Sequence, residues 1–157
     1  MKVCIDPGHA GRNTDPGAVN PNSGLQEADV ALIISQKLAG HLTNAGCEVA
    51  LTRTDWEQPE TDDLGYRTGL SNQFGADVFV SLHCNSAGNS SAAGYEVWTS
   101  PGETQGDQLA TCIFNQIAGE FPDRLGDQVA VYVQGSGSQL RRTADCAVLS
   151  YREVSVG

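Results

Sequence analysis

An α/β domain, with a mostly parallel or mixed sheet flanked by helices on both faces, is what this 157-residue sequence predicts. Three observations carry that expectation. Short runs rich in β-branched residues alternate with stretches whose apolar residues recur every three or four positions. One run, Val78-Phe79-Val80-Ser81-Leu82, is apolar almost throughout, as a strand covered on both faces requires. No repeat, low-complexity tract or linker interrupts the alternation, so residues 1–157 read as a single domain. A chain of this length buries about two-thirds of the surface its unfolded form exposes and needs no disulfide to fold.

The elements follow in order. Lys2 to Asp6 is a short strand that Pro7-Gly8 cuts off, and a loop rich in glycine and asparagine runs from Ala10 to Gly24. From Glu27 to about Ala45, Val30, Ile33, Ile34, Leu38 and Leu42 recur at helical steps and predict a helix with one buried face, capped by Gly46. Cys47 to Thr52 is a second strand, and the acidic run Asp55 to Asp63 is a loop. A shorter helix covers Leu64 to Phe74, and the third strand, Asp77 to His83, belongs in the sheet interior. Gly94 to Thr99 reads as a fourth strand. Glu103 to Phe121 is an amphipathic helix with Leu109, Ile113, Ile117 and Phe121 on one side. Val129 to Val133 is a short strand, Gly135 to Ser138 a turn, and Ala147 to about Tyr151 a last apolar strand.

Charge and cysteine usage exclude several functions. Nineteen acids against nine bases give a net charge of -10 with no basic stripe, which argues against a nucleic-acid partner. The five cysteines are odd in number and lack a C-x-x-C pair, so buried free thiols made in a reducing compartment are expected rather than a disulfide framework or a Cys-rich zinc site. No apolar run approaches the ~20 residues of a membrane span, and the N-terminus lacks a signal-peptide core, so synthesis in the cytoplasm is expected.

Two histidines and a glutamate carry the chemistry. His9 follows the first strand in V-C-I-D-P-G-H, His83 closes the third, and Glu27 opens the long helix. In sheets of this kind ligands gather beyond the carboxyl ends of the strands, where both imidazoles fall. Alone, His9 reads first as a turn histidine held by a hydrogen bond, and Glu27 equally as a carboxylate favoured by the helix dipole. At the end of so apolar a strand, however, His83 requires a polar partner. Together the three form a His-Glu-His set of the kind zinc accepts, with one position open for water. His41 lies on or near the polar side of its helix and reads as a surface histidine.

The blocks I-D-P-G-H-A-G at 5–11, D-P-G-A at 15–18, G-L-Q-E at 24–27, L-T-R at 51–53, S-L-H-C-N at 81–85 and G-Y-E-V at 94–97 occur in an order that spans nearly the whole chain. In these blocks the sequence resembles the zinc-dependent N-acetylmuramoyl-L-alanine amidases of the third amidase family. The resemblance implies one Zn2+ held by His9, Glu27 and His83, and hydrolysis of the amide joining N-acetylmuramic acid to L-alanine in peptidoglycan. Peptidoglycan, glycan strand and stem peptide together, is then the partner, and the place of action is the bacterial cell wall, reached by release or export of an endolysin or autolysin. Arg67 and Asn72 match a further family block, R-x-x-x-x-N, in which a structural arginine paired with acids is the expected reading. The family also has an acid at Glu96, where a hydrogen-bonded supporting role is expected ahead of direct catalysis.

The C-terminus departs from the family. Its last strand ends in a block like P-A-V-L-V-E, whose glutamate is the catalytic acid/base, followed by a G-F and a final helix. Here Cys146-Ala147-Val148-Leu149-Ser150-Tyr151-Arg152-Glu153 stands instead, and the helix is lacking before Gly157. Ungapped, Tyr151 takes the place of that glutamate, while Glu153 lies two residues on and shares its strand face. Glu153 is therefore the expected catalytic base. The alternative is a catalytically impaired, zinc-containing relative that binds the cell wall; a third possibility is an amidohydrolase of small acyl-amino-acid amides.

Overall fold

The computed structural model describes residues 1–56, 64–84, 94–100, 105–120, 129–135 and 147–150, the last two segments as backbone. Along the chain the elements run β1 (Lys2–Pro7), α1 (Glu27–Asn44), β2 (Glu48–Leu51), α2 (Leu64–Phe74), β3 (Val78–Cys84), β4 (Tyr95–Thr99), α3 (Gln105–Glu120), β5 (Val129–Gly135) and β6 (Ala147–Ser150). The strands form one sheet in the order β2-β1-β3-β5-β4-β6. β1 pairs in parallel with β2 and β3, and β4 with β5, whereas β3 with β5 and β4 with β6 are antiparallel. The predicted α/β class holds, with a mixed sheet that is mostly parallel.

Alternation along β1 decides which helix covers which face. Val3 and Ile5 join Val80, Leu82 and Val97 in the buried core, against which Leu38, Ala39 and Leu42 of α1 and Leu109, Ile113 and Phe114 of α3 pack. Cys4 and Asp6 point the other way, toward α2, where Ser71 bonds the Cys4 thiol and Arg67 reaches Asp6. Helices therefore lie on both faces, as expected, but they bury unlike surfaces: hydrocarbon beneath α1 and α3, a polar network beneath α2.

Three expectations need correcting. The buried face of α1 is Ala28, Ala31, Leu32 and Ser35, continued by Leu38, Ala39 and Leu42, while Ile33 and Ile34 are each 41% exposed. The small side chains at 28 and 31 let the helix approach the sheet closely and set its phase, so the stripe of large residues misreads the face. β1 runs one residue further than expected, with Pro7 level with Leu82, and Gly8 N–H still bonds Leu82 O at 2.9 Å before the chain turns away. β5 likewise extends through Gly135, which the sequence assigns to a turn.

The end of α1 follows expectation. Gly46, at φ 86, supplies the left-handed residue that closes the helix, with Gly46 N–H on Thr43 O and Cys47 N–H on Leu42 O. Of the cysteines expected to be buried and free, Cys4, Cys47, Cys84 and Cys112 are free; Cys4 is buried, Cys47 and Cys84 are half-buried, and Cys112 is exposed on α3. Cys146, most of the Asp55–Asp63 loop and residues 151–157, including the expected absence of a last helix, lie outside the described residues. Among the described residues no helix is long and apolar enough to cross a membrane.

Candidate metal centre

β1 and β3 run parallel as neighbours, so their carboxyl ends deliver His9 and His83 to one end of the sheet, and α1 begins there with Glu27 as its first residue. The structure brings all three together: one ligand atom from each lies within 4.8 Å of the others. His9 Nε2 is 3.0 Å from Glu27 Oε1, His83 Nδ1 is 3.1 Å from the same oxygen, and the two ring nitrogens are 3.2 Å apart. A tetrahedron with metal–ligand bonds near 2.0 Å has edges of about 3.3 Å, so these three atoms are spaced as one of its faces. The donor set, two imidazoles and a carboxylate, suits zinc.

Two of the three side chains, His9 and Glu27, are held from behind. His9 Nδ1 lies 2.7 Å from Asp15 Oδ2, and because a carboxylate only accepts, that nitrogen carries the proton and Nε2 is the one presented to the centre. Asp15 is itself fixed by Gly17 N–H at 3.1 Å. Glu27, 7% exposed, accepts from Ala18 N–H at 3.0 Å on Oε2 and from Cys84 N–H at 2.8 Å on Oε1. Burial opposes ionisation of Glu27, but the two histidines and these backbone donors outweigh it and hold the carboxyl well below the usual range. Burial likewise opposes charging of His9, and the carboxylates of Glu27 and Asp15 overcome it and raise its pKa.

Two glycines make room. A Cβ at Gly8 would lie 2.5 Å from His83 Cε1, and one at Gly17 would lie 2.6 Å from His9 Nε2 and 2.8 Å from Glu27 Oε2. Gly17 also sits at φ 66, where a side chain is strained whatever the space. His9 itself has φ 65 and is the one non-glycine residue in that region among the described residues.

Beneath the centre lies a buried polar network. Asp6 accepts from Thr52 Oγ1 and from Arg67 Nη1 at 2.7 Å on one oxygen, and from Ser81 Oγ at 2.6 Å on the other. Arg67 is thus the acid-paired structural arginine expected, and it also donates to Pro7 O and His9 O. Asn72 is exposed on α2, and His41 is exposed in the last turn of α1. Glu96 is half-buried, accepts from Trp98 Nε1 at 3.1 Å, and stands in the cross-strand row that begins at His83 and passes through Ala130. Glu153, Tyr151 and Asn85 lie outside the described residues.

A family model described as N-acetylmuramoyl-L-alanine amidase matches residues 3–150. The chain belongs to that amidase family. It is 40% identical over 97 residues to the sporulation-specific N-acetylmuramoyl-L-alanine amidase of Bacillus subtilis strain 168, a match that covers 60% of this chain and 35% of the relative. A second relative, the amidase AmiA of Salmonella typhimurium, is 39% identical over 97 residues, covering 61% of this chain and 31% of its own length. This amidase-family chain therefore spans about a third of the length of the curated relatives it matches. Among solved structures, the amidase AmiC2 of Nostoc punctiforme superposes with a TM-score of 0.67 at 26% identity, covering 91% of this chain and 82% of that one. The amidase from Clostridium difficile 630 gives 0.68 at 26% identity, covering 84% and 77%.

The residues packed behind the His-Glu-His trio, Asp15, Gly8, Gly17, Asp6 and Arg53, are not among those that motif chemistry singles out. One signal did mark four of them: Asp-Pro-Gly occurs twice, at 6–8 and 15–17, on either side of His9.

Proposed function

We propose that this chain hydrolyses the amide between N-acetylmuramic acid and L-alanine in peptidoglycan, using a zinc ion held by His9, Glu27 and His83. The observation that carries the reading is the convergence of those three donors from separate elements, with Asp15 behind one of them, in a member of the amidase family. An amide is a weak electrophile with a poor leaving group, so its hydrolysis needs an activated water, stabilisation of the oxyanion and a proton for the departing nitrogen. Zinc, when bound, supplies the Lewis acidity that activates water and the carbonyl.

The chain's own groups do the rest. Asp15 holds the proton on His9 Nδ1 and so keeps Nε2 free as a ligand; Glu27, fixed as the carboxylate, adds negative charge to the centre. Glu153 is the proposed general base, taking a proton from water and returning it to the amine nitrogen. Tyr151, with an ordinary phenol pKa of ~10, is suited to donating a hydrogen bond to the oxyanion rather than to acting as base.

The test is incubation of zinc-loaded protein with purified peptidoglycan, assaying for freed muramic-acid and L-alanine ends. Release that vanishes in Glu153→Ala and survives Tyr151→Phe supports the assignment. No release from folded, zinc-loaded protein favours a wall-binding relative, and cleavage confined to simple acyl-amino-acid amides favours a small-molecule amidohydrolase.

A further inference from the structure

Arg53 closes the L-T-R block, and the metal chemistry leaves it without a task. It is 3% exposed, yet its guanidinium touches carbonyl oxygens from three separate stretches of chain. Nε donates to His9 O at 3.1 Å, Nη2 to Gly8 O at 3.0 Å and to Ala28 O at 2.9 Å, and Nη1 to Asp55 O at 2.9 Å. Gly8 and His9 form the turn that delivers one imidazole, and Ala28 directly follows Glu27 at the start of α1. The same side chain therefore ties the His9 segment to the Glu27 segment.

His9 gives that tie a reason. Its left-handed backbone, at φ 65, is one an L-residue leaves unless its surroundings hold it. Two guanidinium groups converge on its carbonyl: Arg53 Nε, and Arg67 Nη2 at 2.6 Å. Their other contacts differ. Arg67 fastens the turn to Asp6 and Pro7 within β1, and Asp6 in turn holds Ser81 of β3, the strand that carries His83. Arg53 reaches α1, through Ala28 O. A planar fork of five N–H groups can hold carbonyls in several fixed directions, which the three freely rotating hydrogens of an ammonium cannot reproduce.

We propose that Arg53 is a positioning residue that sets the spacing between His9 and Glu27 before metal arrives, and so sets the affinity of the centre for zinc. The proposal rests on the reading of His9, Glu27 and His83 as the zinc ligands. It gives Arg53 no contact with metal or substrate; its effect passes through the backbone carbonyls of Gly8, His9 and Ala28.

The experiment is chelator competition at fixed pH on the full chain, comparing wild type, Arg53→Lys and Val97→Ala. Val97→Ala is a control whose damage falls in the apolar core, away from the centre. Weakening of zinc by about tenfold or more in Arg53→Lys is expected, as for loss of a residue that orients a metal ligand, with wild-type affinity in Val97→Ala and hydrolysis restored to Arg53→Lys by excess zinc. Wild-type affinity in Arg53→Lys, or equal weakening in both variants, overturns the proposal. A wild type that binds no zinc overturns instead the ligand reading beneath it. Should Arg53→Lys fail to fold, NMR of the metal-free wild type decides: separate, slowly exchanging Arg53 Nη–H signals that zinc leaves in place are expected, and a freely rotating guanidinium contradicts positioning.

Discussion

On the α2 face and beyond the carboxyl ends of β1 and β3 the protein buries Asp6, Glu27, Arg53 and Arg67, whereas on the opposite face Val3, Ile5, Val80 and Leu82 join Val97 and Ala110 in an apolar core. Both regions belong to one sheet, and their buried residues do different work. Removing charge from water costs several kcal/mol per ion, so a paired buried ion is weak evidence of stabilisation. Hydrocarbon such as Val97 stabilises simply by leaving water, at about 25 cal/mol per Å². In the polar half every charge named leads back to His9 or Glu27: Arg53 and Arg67 hold the His9 carbonyl, Asp6 holds Arg67, and Cys84 N–H holds Glu27. The polar half arranges His9 and Glu27, and the apolar half supplies stability.

Removing a ligand breaks that comparison most severely. His9→Ala or His83→Ala is expected to abolish stoichiometric zinc binding while leaving the core intact; calorimetric titration that finds wild-type affinity in either variant refutes the assignment. Next come matched changes in the two halves. Asp6→Ala leaves Arg67 buried without its carboxylate and is expected to cost about 3–5 kcal/mol in denaturant unfolding. Val97→Ala opens a small cavity at a cost of about 2 kcal/mol and leaves zinc affinity unchanged. Equal loss of zinc affinity in both would erase the division of labour.

Glycines sharpen the same contrast at smaller amplitude. Gly17→Ala pushes a methyl against His9 and Glu27 and is expected to weaken zinc, whereas Gly46 has a similar left-handed φ but open space around it. Gly46→Ala should therefore cost only about 1–2 kcal/mol of stability and no affinity. Zinc titrations and thermal melts of the pair separate conformational strain from steric intrusion.

The smallest effect expected is on pH dependence. In metal-free protein Glu27 is held below its ordinary value of 4.5, so its stabilising contribution is complete above that value and is lost as pH falls below it. His9 is raised above its ordinary 6.5, so its contribution is complete below 6.5 and is lost as pH rises through the folded value. The metal-free melting temperature should peak between the two values, with Glu27→Gln flattening the acid limb. Zinc-loaded protein should instead gain stability as pH rises through the imidazole range, because protons no longer compete for the ligands. Parallel pH profiles for the two forms would contradict the account.

The order of elements and the convergence of His9, Glu27 and His83 were legible in the sequence because each depends on local pattern: apolar runs, helical spacing, and histidines placed at strand ends. The phase of α1 was not, since the residues that set it, Ala28 and Ala31, matter for being small, and hydrophobic patterning weighs Ile33 and Ile34 more heavily. Arg53 was illegible for another reason, and Asp15 carried one faint mark, the repeated Asp-Pro-Gly. Their contacts with His9 span 44 and 6 residues, a range that local pattern does not reach. Glu153 remains a reading of sequence alone, resting on its place two residues beyond the family's glutamate.

The most direct test of the central claim is X-ray absorption at the zinc edge of the loaded protein. Two imidazole nitrogens and one carboxylate oxygen at about 2.0–2.2 Å, plus one further light atom and no sulfur, is the predicted first shell. A sulfur ligand at about 2.3 Å, or a shell with no imidazole scattering, would show that His9, Glu27 and His83 are not the group that holds the metal.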